Sequence, residues 1–128
     1  MSLTTDRNDQ RLKEILPGGQ QAAYLVLSEE ELAKGFVRPV RTAYRHLKCG
    51  TVTTMGLALS QTYSRNPKFY SGTFCCHCGT HFDLGPPWDP AFLWYPDGDP
   101  VGSTEEEAKM YFAKKEKREA EKHLGGGI

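Results

Sequence analysis

The 128 residues fit one domain, and a hydrophobic fraction of 38% with 13 glycines and 8 prolines leaves a thin core of the kind that often needs a staple. No apolar run approaches the ~20 residues of a membrane-crossing helix, and the opening MSLTTDRNDQRLKE lacks the charged-then-apolar order of a secretion signal, so the expected setting is the cytoplasm. The formal net charge is zero, but residues 36–82 carry Arg38, Arg41, Arg45, Lys48, Arg65 and Lys68 with no acid, whereas residues 83–103 carry four aspartates and no base.

In chain order, residues 6–16 (DRNDQRLKEIL) have a narrow apolar face in Leu12, Ile15 and Leu16 and predict a short helix, which Pro17-Gly18-Gly19 ends. AAYLVL at 22–27 predicts a buried strand. Ser28 and Glu31 stand at capping-box spacing before a brief helix that Gly35 closes. FVRPVRTAYRHL at 36–47 predicts a strand, with Pro39 confining it to an edge or a bulge. Met55, Ala58, Leu59, Thr62 and Tyr63 recur at helical spacing, so a helix is expected from a cap at Thr53 or Thr54 to Asn66-Pro67.

KFYSGTF at 68–74 reads as a strand or an irregular segment, Phe92–Tyr95 as a strand, and Asp97-Gly98 as a turn. Thr104 and Glu107 form another capping box. The helix it starts has Glu105–Glu107 in its first turn and Lys114, Lys115, Lys117, Arg118 and Lys122 further on, the order its dipole favours. Its apolar stripe of Ala108, Tyr111, Phe112, Ala120 and Leu124 is weak, and Gly125 to Gly127 end it in a flexible tail. The expected division is 1–21 as N-terminal helix and turn, 22–103 as a metal-binding α+β domain, and 104–128 as charged helix and tail.

Two stretches carry chemistry: RHLKCG at 45–50 and FCCHCG at 74–79. Each places two metal-ligand side chains three positions apart and follows the second with glycine. Two such ligands reach one ion when the backbone between them turns tightly, and the glycine lets the chain leave with positive φ. Three cysteines within four residues make two separate disulfides geometrically awkward, so a reducing compartment and a metal fit better. The expected ligand set is His46, Cys49, Cys75 and Cys78 around one zinc. His81 is the rival fourth ligand, because Cys75-x-x-Cys78-x-x-His81 is also workable spacing. Cys76 and His77 lie between ligands and are expected to point outward, with no role assigned.

Three thiolates and one imidazole make a closed, electron-rich set and a poor Lewis acid, which suits a structural ion. A catalytic reading would need Cys75, Cys78 and His81 plus water, with Asp83 the nearest acid. No H-E-x-x-H, G-x-S-x-G, P-loop or zinc-deaminase pattern occurs, and a non-enzymatic protein is expected.

The paired knuckles resemble the zinc-ribbon class. A narrower resemblance covers about residues 24–103. It is carried by GFVRPVR, CGTVTTMG, NPKFYSGTFCCHCGTHF and DGDPVGS, and it is to small uncharacterised proteins of bacteriophages and prophages. The first implies a structural zinc at the four positions named. The second implies an accessory, regulatory protein acting inside a bacterial host. The fold expected is a small α+β one, with a zinc-ribbon-like core of short antiparallel strands, an inserted helix and flanking N- and C-terminal helices.

Two kinds of partner are then in view. Nucleic acid would use Arg38, Arg41, Arg45, Lys48, Arg65 and Lys68 beside Tyr44, Tyr63, Phe69 and Tyr70, although zero net charge is unusual for a dedicated DNA binder. A host protein would use the acidic, aromatic segment around Trp88 and Tyr95, with Phe92 and Trp94 read as core. No membrane and no small-molecule substrate is inferred.

Overall fold

The computed structural model describes residues 2–126. It contains strands β1 (Ser2–Thr4), β2 (Ala23–Leu25), β3 (Ala43–His46), β4 (Val52–Thr54), β5 (Gly72–Cys75), β6 (Thr80–Asp83) and β7 (Phe92–Trp94). The helices are α1 (Glu29–Leu32), α2 (Leu57–Arg65) and α3 (Glu105–Gly126). The fold is α+β, built from small sheets. β3 is the centre of an antiparallel sheet in the order β4-β3-β7, β5 and β6 form a separate antiparallel hairpin, and β1 pairs with β2 in parallel.

The core is mostly aromatic. Tyr44, Tyr63, Cys75, Leu84, Phe92, Trp94 and Val101 form one buried cluster, with Cys49, Met55, Tyr70, Phe82 and Ala91 packed against it. Trp94 takes Tyr44 and Tyr63 edge-to-face, with ring centroids 6.2 and 5.3 Å away. Such geometry adds roughly 0.5–1.5 kcal/mol per pair beyond area burial. The core therefore joins two sheets, a helix and one of the expected ligands.

Helix α2 buries a polar face, yet without penalty. Ser60, Thr62 and Ser64 are all buried, and each hydroxyl donates to the carbonyl four residues earlier, at 2.8 to 3.0 Å. Thr62 Oγ1 also accepts the Leu27 amide, which ties the chain after β2 to the helix. Buried hydroxyls satisfied in this way cost little.

The structure corrects several expected boundaries. Of residues 6–16, only Gln10–Lys13 form a single 3-10 turn, with the Asp9 side chain accepting from the Arg11 amide at its start. Glu14 instead accepts the Ala22 amide, Leu16 donates to Gln20, and Ile15 bridges Gln21, which pulls the segment into an extended loop. The strand expected over 36–47 is confined to β3. Before it, the Val37 and Arg38 amides both donate to the Ser64 carbonyl, an irregular path that no ladder could share. Thr53 and Thr54 do not cap α2. They pair with Tyr44 and Ala43 in β4, and Gly56 takes the N-cap position. Strands β1 and β6 fall where no strand was expected.

Both capping boxes are present in part or whole. Ser28 Oγ accepts the Glu31 amide at the start of α1. At α3 the two halves are complete: Thr104 Oγ1 accepts the Glu107 amide and Glu107 Oε1 accepts the Thr104 amide. The helix runs through Gly125 and Gly126, so the expected tail falls on Gly127 and Ile128, outside the described residues.

Candidate metal centre

Each knuckle is the tip of a β-hairpin. β3 ends at His46, the chain turns through Leu47-Lys48-Cys49-Gly50, and β4 returns; the Gly50 amide closes the turn on the His46 carbonyl at 2.7 Å. β5 ends at Cys75, the chain turns through Cys76-His77-Cys78-Gly79, and β6 returns; the Gly79 amide closes on the Cys75 carbonyl at 2.9 Å. Gly50 and Gly79 hold φ of +77° and +69°, the left-handed conformation that both knuckles require and that side chains resist.

The two tips face each other. One ligand atom each from His46, Cys49, Cys75 and Cys78 lies within 4.8 Å of every other, a group that could hold a metal ion. His46 Nδ1 is 3.4 Å from Cys49 Sγ and 3.6 Å from Cys78 Sγ, and Cys49 Sγ is 3.5 Å from Cys75 Sγ. Of the two histidines weighed for the fourth position, His46 is the one the structure brings to the three cysteines. His81 points elsewhere: its Nε2 meets the Tyr24 hydroxyl at 2.9 Å, and burial lowers its pKa.

Packing fixes the His46 ring. It is 2% exposed and lies between Phe82 and Phe92, with centroids 4.5 and 4.6 Å away and the Phe92 ring nearly parallel. These two phenylalanines are part of the site and were not picked out by sequence spacing. Phe92 reaches the site because β7 pairs with β3 and sets it directly opposite His46, a long-range register that no local spacing records.

The sulfurs have unequal surroundings. The Thr51 amide, 3.5 Å from Cys49 Sγ, is the main cause that holds the Cys49 thiol down to about 6. Desolvation pushes the Cys78 thiol up to about 11, and the neighbouring Cys75 and Cys49 sulfurs add to this. Sulfurs this close oppose each other's ionisation, and a cation among them removes that conflict. Cys76 is exposed, with its amide on Thr53 Oγ1 and its sulfur 3.8 Å from the Val52 carbonyl, and it stands outside the group.

The basic block is largely paired within the fold. Arg38 and Arg41 both bind Asp99, Arg41 at 2.6 Å, and Arg41 also reaches Asp97 at 3.0 Å and lies over the Trp94 ring. Their side chains are only 8% and 10% exposed. Arg65 lies 3.7 Å from Glu31, and Lys68 2.5 Å from Glu107. Arg45 and Lys48 differ: both are exposed, Arg45 lies over Tyr95 and Lys48 over Phe82, and among the described residues neither has an acidic partner. Trp88 and Tyr95 are 65% and 45% exposed.

No helix among the described residues is long and apolar enough to cross a membrane. Compared with known proteins, the chain matches no family model, no curated protein and no solved structure.

Proposed function

We propose that the chain is a non-enzymatic binding module closed by one structural zinc ion on His46, Cys49, Cys75 and Cys78. On the resemblance of residues 24–103, it acts as a phage-encoded accessory or regulatory protein on a host protein in the bacterial cytoplasm. The convergence of four donors from two hairpin tips carries the metal reading. Sulfurs bound about 2.3 Å from a tetrahedral zinc stand about 3.8 Å apart. The separations of 3.4 to 3.6 Å between donors here are close to that spacing.

Three thiolates and an imidazole leave no open position for water, which favours a staple over a catalyst. His81 is outside the group, and Asp83 pairs with Gly72 at the opposite end of the hairpin from the knuckle, three residues beyond Thr80. At about 3.3 Å per strand residue, that is roughly 10 Å too far along for a general base at the centre. The partner reading draws on the exposed Trp88 and Tyr95 and on the internal pairing of four of the six basic residues.

Arg45 and Lys48, each on an aromatic face, support the alternative of a nucleic-acid-binding ribbon. Two cations give a salt slope no steeper than about −2 on a log–log plot. Elemental analysis of the purified chain, with a salt titration of binding to random DNA, tests both readings. One zinc per chain and weak, shallow binding are expected. Absence of zinc would sink the metal reading, and a slope of about −4 or steeper would reject the protein-partner reading in favour of nucleic acid.

A further inference from the structure

A cavity of about 230 Å³ lies between the N-terminal segment, α2 and the two hairpins. Its walls carry the phenol and phenyl rings of Tyr24, Tyr44, Tyr63, Tyr70 and Phe74, and the His81 imidazole. No aspartate, glutamate, lysine or arginine is among its lining residues. We propose that this cavity binds a small, uncharged, planar aromatic molecule with a hydrogen-bonding group on its edge.

Size, lining and polarity each narrow the ligand. Sites for drug-sized ligands span roughly 300–1,000 Å³, so this volume suits a molecule of one or two rings. Aromatic walls favour flat, polarisable guests by offset or edge-to-face contact. An ion would shed its water here, and the one histidine on the wall, His81, has its Nε2 engaged by the Tyr24 hydroxyl.

The polar groups are mostly committed to the fold. The Tyr44 hydroxyl donates to the Phe74 carbonyl, Tyr70 donates to the Leu25 carbonyl, and Tyr24 meets His81. Tyr63 differs. The residue is 4% exposed, and among the described residues its hydroxyl finds no partner at hydrogen-bonding geometry. Buried polar groups without partners are few in native proteins, and this one is left to answer a group on a guest. An adjoining depression of about 370 Å³ shares Gln21, Tyr70, Gly72 and His81 with the cavity and gives a ring substituent a way out.

The proposal is independent of the ion's identity and of the macromolecular partner. The ordinary alternative is a hydrated void, and titration separates the two. Indole and adenine serve as neutral probes and benzoate as a charged one, added to the full chain while its amide spectrum is recorded. Saturable shifts are expected around Gln21, Thr54, Tyr63 and Thr73 with at least one neutral probe, and benzoate should bind about tenfold more weakly or worse.

Thr54 is exposed and lines the cavity, so Thr54→Trp closes it from outside at small cost to the fold. It should weaken the neutral probe by about tenfold, one lost apolar contact area of a ring. Leu59→Trp fills the cavity from within and should do the same. No saturable shift with indole or adenine would overturn the proposal. So would equal affinity for benzoate, or unchanged affinity in a Thr54→Trp chain whose spectrum shows an intact fold.

Discussion

The two hairpins carry the same knuckle in unequal settings. The first, β3–β4, has β7 on its other flank, and its histidine is sealed between Phe82 and Phe92. The second, β5–β6, pairs with no third strand among the described residues, and although Cys75 is fully buried, Cys76, His77, Cys78 and Gly79 are exposed. Packing holds His46 in place, although one wall of its slot, Phe82, comes from the second hairpin. The second half is anchored at Cys75 and Phe82, but the tip that carries Cys78 is exposed, and a bound ion would supply the contact that tip lacks. The difference therefore lies in the exposure of Cys78 against the burial of His46.

The largest effect should come from the ligands themselves. Structural zinc contributes on the order of 10 kcal/mol to small zinc domains. His46→Ala removes a ligand and the filling of an aromatic slot together, so that chain should not fold at all. Cys78→Ser should lose its metal but keep most of the first half: amide-exchange protection persists at 43–46 and 92–94 and falls most at 75–80. Equal loss of protection on both sides would erase the asymmetry. Cys76→Ser, outside the group, should leave metal content and folding unchanged.

Next in size is Asp99→Ala, which acts on the side of the buried His46. Asp99 takes both Arg38 and Arg41, and its backbone carbonyl accepts the Trp94 amide of β7. Leaving two largely covered guanidinium groups short of their partner should cost about 3–5 kcal/mol in urea unfolding. A loss under about 1 kcal/mol would mean these pairs behave as surface ones.

The smallest effect tests the exposed side. Gly19 holds φ of +93°, and a Cβ there would stand 1.8 Å from the Gly79 carbonyl oxygen. Gly19→Ala should cost about 1–3 kcal/mol and speed metal release to a chelator, because the turn presses on the second knuckle. Gly18→Ala, where a Cβ would meet nothing within 4 Å, is the matched control. Equal release rates for the two would remove any role of the N-terminal turn in holding that knuckle.

The candidate site was largely legible because its signal is local. Ligand spacing and the glycine after each second ligand mark both knuckles, and Thr104 with Glu107 marks α3, all within a few residues. What sequence left open was long-range. The choice between His46 and His81 depends on which strand faces which ring. The basic block looked available for nucleic acid until Arg38 and Arg41 met acids some sixty positions on. The helix over 6–16 failed because Glu14 and Leu16 bond across the Pro17-Gly18-Gly19 turn, a competition that apolar spacing does not register. The cavity has no linear signature, since its walls come from Leu12 to His81.

The seat of the Gly19 turn on Gly79 also bears on synthesis. β1 and β2 can pair with each other early, but the surface their segment docks on is incomplete until Gly79 and His81 have been added. His46 waits longer still, for Phe92. On a growing chain, the apolar side chains of Leu25 and Val26 would lack that cover until the second hairpin is complete. An ion captured before Phe92 is in place would be held by thiols whose histidine partner is not yet locked.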